Sequence, residues 1–161
     1  MTAFELTENE ARDTAVVRSS VPISAIPSLF GRALPAVSRV LAAQHIHPVG
    51  PPFAKYLGPP GDTVDLEVGF PVSRPVSPAG DVIASTLPAA PAVHGTHVGP
   101  YEDLHRTYDE MFAWMKKQEL EPDEVMWEIY LSDPSAEPDP AAWRTEVWCP
   151  VTRTPHEPPA G

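Results

Sequence analysis

Apolar residues recur along this chain at two periods, near two and near 3.6, and the periods alternate in the same order twice. Residues 14–19 (TAVVRS) predict a short strand. Ile26, Phe30, Leu34, Val37 and Leu41 then return at helical spacing and predict a helix over 24–44, with Ser24 as its N-cap. Pro27 suits a first turn, whereas Pro35 removes a backbone donor in mid-helix and predicts a kink or break. Residues 53–57 predict a strand and 58–62 (GPPGD) a hairpin loop. Residues 63–70 alternate cleanly, with Val64, Leu66, Val68 and Phe70 on one face and Asp65, Glu67 and Gly69 on the other. Residues 71–90, rich in Pro, Ser and Ala, read as a link to the second half.

The second half repeats the order. Residues 91–98 predict a strand, and Gly99-Pro100 opens a helix whose stripe is Tyr101, Leu104, Tyr108, Met111 and Met115. Glu102 and Asp103 in its first turn and Lys116 and Lys117 in its last complement the helix dipole. Residues 125–131 predict a strand with Val125, Trp127, Ile129 and Leu131 on one face and Met126, Glu128 and Tyr130 on the other. An acidic, Pro-rich loop follows at 132–142, and residues 143–149 predict a closing strand, Val147 and Cys149 opposing Glu146 and Trp148. Residues 1–13 read as a flexible arm and 152–161 as a flexible tail, which leaves 14–151 as the folded part.

The halves, about 14–72 and 91–151, align as an internal repeat. Phe30, Leu34, Val37 and Leu41 match Leu104, Tyr108, Met111 and Met115, and Tyr56-Leu57 matches Tyr130-Leu131, at one constant offset. EVGFPV at 67–72 matches EVWCPV at 146–151, so Glu67 and Glu146 are equivalents. Two strand-helix-strand-strand units predict an α+β fold: one curved antiparallel sheet with both helices on one face. The apolar strand faces are expected to meet the helices. The other face is then expected to carry Tyr56, Asp65, Glu67, Met126, Glu128, Tyr130, Glu146 and Trp148 as a groove for a flat, apolar ligand, cations included.

Charge and composition narrow the function. With 22 Asp+Glu against 11 Lys+Arg, a net charge of −11 argues against direct nucleic-acid binding and against an anionic membrane surface. No apolar run is long enough for a spanning helix, and the acidic start lacks the features of a signal or transit peptide. The single Cys149 excludes an internal disulfide framework and fits a reducing cytoplasm. The 22 prolines punctuate apolar segments, as in a strand-rich fold. His94 and His97 fall on opposite faces of one strand, so no metal is expected; no cofactor-binding glycine loop and no nucleophile elbow occurs.

The chain resembles the GyrI-like small-molecule-binding domains, also called bacterial transcription-activator effector-binding domains. The resemblance rests on HVGPY at 97–101, WEIYLSDP at 127–134, TEVWCPV at 145–151, and PPFAKY at 51–56 followed by VDLEVGFPV at 64–72. It implies the duplicated fold and a ligand groove between the halves. Regulator members carry a preceding DNA-binding domain, for which residues 1–13 are too short, so a stand-alone member is expected. Members bind drug-like, often cationic aromatics through a buried glutamate ringed by aromatic residues. By its place in the closing strand Glu146 matches that glutamate, with Glu128 second. Some stand-alone members are hydrolases that open cyclopropane rings of DNA-alkylating natural products, and others interact with DNA gyrase.

The leading expectation is a cytoplasmic binding protein, monomer or homodimer, for aromatic small molecules, acting in drug or toxin sensing, sequestration or resistance. Its expected ligand-binding residues are Glu146, Trp148, Tyr130, Tyr56, Glu67, Met126, Tyr101 and Trp143. A cofactor-independent hydrolase would use Glu146 or Glu128 to activate water and Tyr130 to steady a developing oxyanion. A gyrase-interacting module would use the acidic 132–142 loop.

Overall fold

The computed structural model describes residues 3–58, 61–132 and 136–153, with only the backbone of Arg153. In chain order the elements are β1 (Phe4–Asn9), β2 (Arg12–Val21), α1 (Ile26–Ala43), β3 (Phe53–Tyr56), β4 (Val64–Pro71), β5 (Val82–Leu87), β6 (Ala90–Val98), α2 (Leu104–Lys117), β7 (Leu120–Pro122), β8 (Met126–Tyr130) and β9 (Arg144–Arg153). The strands make one open, curved antiparallel sheet in the order β1-β6-β9-β8-β3-β4-β2-β5, with β7 added on β9. Both helices lie on one face.

The repeat sets this architecture. The units β2-α1-β3-β4 and β6-α2-β8-β9 meet where β3 pairs with β8, Ala54 opposite Glu128 and Tyr56 opposite Met126. Each unit also lends a strand to the other: β1 runs into β2 but pairs with β6, and β5 runs into β6 but pairs with β2. The links between β1 and β2 and between β5 and β6 are short, so the two ends of the strand order approach one another. Asn9 Nδ2 donates 2.7 Å to the Pro88 carbonyl there. The sheet must therefore curl. Gly69 sits at a close approach in β4, where a Cβ would stand 1.9 Å from the Ala15 carbonyl oxygen.

Several expectations need correction. The loose arm is in part a strand, because Phe4 and Leu6 give β1 a one-sided apolar pattern and the Phe4 ring lies 6.3 Å from that of Trp114. The link at 71–90 contains β5. Pro35 stands inside a continuous α1. Ser24 lies in a 3-10 turn before α1 and caps nothing with its side chain. The hairpin loop includes residues 59 and 60, the acidic loop residues 133–135 and the tail residues 154–161, all outside the described residues.

The largest correction concerns the faces of the sheet. Leu29, Ala33, Val37 and Leu41 of α1 pack with Ala15, Val17, Leu66 and Val68. Met111 and Met115 of α2 pack with Val93, Val147 and Cys149. The opposite, concave face is not a free groove: it encloses a third cluster of Val16, Phe53, Leu87 and Trp127, each 3% exposed or less. Both faces of the sheet are buried. The most apolar face of β8, Trp127 and Ile129, therefore turns away from the helices.

Candidate functional site

α1 packs chiefly on β2 and β4, and α2 on β6 and β7, so the central strands β3 and β8 face the gap between the helices. Alternation along β8 points Glu128 and Tyr130 into that gap. Tyr56 joins them from β3 and Tyr108 from the inner side of α2.

Glu128 is 6% exposed and accepts hydrogen bonds from three tyrosines. Tyr108 Oη donates to Oε2 at 2.5 Å, while Tyr130 Oη and Tyr56 Oη donate to Oε1 at 2.8 and 3.5 Å. Among the described residues, no lysine or arginine pairs with it. Burial raises the Glu128 carboxyl above the ordinary carboxylate range, and the three hydroxyls and the nearby His97 offset only part of that cost. Burial and the Glu128 charge likewise raise Tyr56, Tyr108 and Tyr130 above the usual phenol range. At neutral pH the phenols keep their protons and can donate to whatever charge the glutamate carries. The start of α2, and with it Tyr108, is held to β6 by His97. Its Nε2–H donates to the Pro100 carbonyl at 2.9 Å, and its Nδ1 lies 2.6 Å from Thr107 Oγ1.

Beside this cluster opens a cleft of about 670 Å³, lined from the first half by Phe30, Leu34, Pro52 and Phe70 and from the second by Tyr101, Tyr130 and Leu131. That volume falls in the usual range for small-ligand sites. Tyr130 lines the cleft and donates to Glu128, so it stands between the opening and the carboxylate. Aromatic rings crowd around it: Phe30 at 5.4 Å and Tyr101 at 5.8 Å, with Trp143 5.0 Å beyond Tyr101. Trp143 is fixed by Nε1–H donation to the Glu137 carbonyl and by accepting from the Gly99 N–H.

The structure thus divides the residues expected to form one site. Tyr56, Met126, Glu128, Tyr130, Tyr101 and Trp143 are on the helix side, although Met126 belongs to the packed cluster beneath α2. Glu67, Glu146 and Trp148 are on the concave side, and Asp65 is exposed. Glu146 accepts from Trp148 Nε1 at 2.9 Å. Glu67 accepts from Ser85 Oγ at 2.7 Å and pairs with Lys55 at 3.5 Å. The two are equivalents, as the repeat implies, but neither reaches the cleft. Tyr108 was not among the expected site residues. Its signal was a hydroxyl within an apolar helical stripe, which needs a buried acceptor opposite it. Cys149 is buried, and its thiol is pushed up to about 12 by that burial.

The profile of the GyrI-like small molecule binding domain matches residues 2–152. The C-terminal domain of EcmrR superposes with a TM-score of 0.81 at 22% identity, over 95% of this chain and 99% of that domain. In the EcmrR–DNA complex the chain spans 58% of the EcmrR chain. SAV2435 bound to tetraphenylphosphonium superposes with a TM-score of 0.65 at 11% identity, over 93% of this chain and 94% of that one. A protein described as a hydrolase from Listeria innocua gives 0.64 at 16% identity, over 92% and 91%. No curated protein matches in sequence. Among the described residues no helix is long and apolar enough to cross a membrane. The duplicated sheet, the gap between its helices and the matching profile over nearly the whole chain make this protein a member of the GyrI-like small-molecule-binding domain family.

Proposed function

We propose that the cleft between α1 and α2 binds aromatic cations, with Glu128 as counter-ion and Phe30, Tyr101, Tyr130 and Trp143 as ring partners. One observation carries this reading: a buried carboxylate whose hydrogen-bond partners are neutral phenols, at the edge of an aromatic cleft. Three hydroxyls steady a negative charge without cancelling it, so the site gains most by admitting a cation from outside. Ring faces add cation–π attraction of about 0.5–2 kcal/mol each when desolvated. Phe30, Tyr101 and Trp143 come from different elements, so the bound shape is set by flat rings rather than by a hydrogen-bonding template. Such a protein suits sensing or sequestering toxic aromatics.

A second reading has its own support in the raised Glu128 carboxyl beside tyrosine donors, a pairing suited to a general base with oxyanion donors. It makes the protein a hydrolase of strained electrophiles that needs no cofactor. Equilibrium dialysis against aromatic ligands of equal size, cationic and neutral, followed by mass measurement of the recovered ligand, separates the two. Retention of unchanged cations by wild type and their loss in Glu128→Gln supports the binding reading. Recovery of a water adduct, formed only by wild type, replaces it with the hydrolase reading.

A further inference from the structure

The helix that walls the cleft on one side is interrupted in its hydrogen bonding but not in its course. Pro35 lies inside α1, and proline has no N–H, so the carbonyl four residues earlier, on Gly31, lacks its helical donor. A proline ring also presses on that carbonyl and tilts it outward. Gly31 and Pro35 both line the cleft. Gly31 has no side chain to cover its own backbone, and a Cβ built there would meet nothing within 4 Å. The wall around it is apolar: Phe30, Leu34, Pro51, Pro52 and Phe70 offer no side-chain donor.

We infer that the Gly31 carbonyl is a backbone acceptor of the cleft that favours ligands whose cation carries an N–H, such as protonated amines, amidines and guanidines, over permanently charged quaternary cations. This rests on the cation reading of the same cleft: Glu128 supplies the charge, and Gly31 supplies a direction. In a mostly apolar wall an acceptor without its helical donor fixes ligand orientation, because a ligand that leaves it dry and unpaired forfeits that hydrogen bond. The feature belongs to one wall only. The repeat-equivalent positions on α2 are His105 and Asp109, with no proline to free a carbonyl.

The test uses a tertiary aromatic amine, protonated at the assay pH, and its N-methyl quaternary analogue, titrated calorimetrically into wild type, Pro35→Ala and Glu128→Gln. Pro35→Ala returns an N–H to the Gly31 carbonyl and takes away no aromatic ring of the cleft, and the quaternary analogue reads any effect of the lost pyrrolidine ring. It is expected to weaken the amine about tenfold and the quaternary ion less than about twofold. Glu128→Gln is expected to weaken both. Equal effects of Pro35→Ala on the two ligands overturn the Gly31 assignment and leave the cation reading standing. Failure of both ligands to bind wild type, or undiminished binding to Glu128→Gln, overturns the cation reading itself.

Discussion

Two glutamates are buried in this sheet, one on each face, and their surroundings differ in the charge they supply. Glu67 is 4% exposed on the concave side, where Lys55 and Ser85 meet it; Lys55 Nζ also donates 2.8 Å to the Thr86 carbonyl on β5, with β4 and β2 between the two strands. Its charge is matched inside the protein, and it ties β3 and β4 to β5 across the curl. Glu128 is 6% exposed on the helix side, where its hydrogen-bond partners among the described residues are three phenols and burial raises its carboxyl. A carboxylate with a built-in cation is a staple; one with neutral donors keeps its charge available. Burial alone therefore does not set the two apart; the role proposed for Glu128 rests on the chemistry of its partners.

Removing each glutamate should separate the roles. Glu67→Ala leaves the Lys55 ammonium without its pair in a mostly buried place. It should cost about 3 kcal/mol of unfolding free energy, read by denaturant titration, while ligand affinity stays within about twofold. Equal stability in that variant would break the comparison. Glu128→Gln should weaken an aromatic cation by about a hundredfold, about 2.7 kcal/mol, with little effect on a neutral ligand of the same shape.

Stability should respond to pH in the same variant. Because burial raises Glu128, the folded protein holds a proton that the unfolded chain has already released between the ordinary carboxylate pKa and the folded one. Wild-type stability should then fall as pH rises through that interval. Glu128→Gln has no such proton, so its melting temperature should match wild type in acid and exceed it increasingly as pH rises. Tyr108→Phe removes the 2.5 Å donor, should destabilise by about 1–2 kcal/mol, and should move the binding pH profile upward. Trp143→Ala, at the outer edge of the ring cluster, should weaken a cation only about fivefold in fluorescence or calorimetric titration.

The repeat, the helices and most strands were legible because each is a one-sided pattern with its own period. Phe30, Leu34, Val37 and Leu41 and their mates at Leu104, Tyr108, Met111 and Met115 place both helices to within a few residues. The face of β8 was not legible. Alternation separates Trp127 and Ile129 from Glu128 and Tyr130, but it does not say which set meets a helix when the sheet curls and buries both. Reading the apolar set as helix-facing moved Glu128 to the side of the sheet that carries Glu146. The repeat held a corrective: Glu146 and Glu67 are symmetric mates, whereas Glu128 is matched by Ala54 and Tyr108 by Leu34. The proposed ligand site uses one carboxylate and so breaks the symmetry, at positions where the halves differ in polarity. β1 and β5 were missed for another reason, since they pair with the half of the chain they do not run into.

The most direct test is the affinity of tetraphenylphosphonium for wild type, Glu128→Gln and Glu146→Gln between about pH 4 and 8, a span that covers a raised carboxylate. The ligand's charge does not change with pH, so any dependence belongs to the protein. The account predicts that wild-type and Glu146→Gln affinities rise with pH and level off together, and that Glu128→Gln binds weakly and without pH dependence. Strong, flat binding by Glu128→Gln, or loss of binding in Glu146→Gln alone, would contradict it.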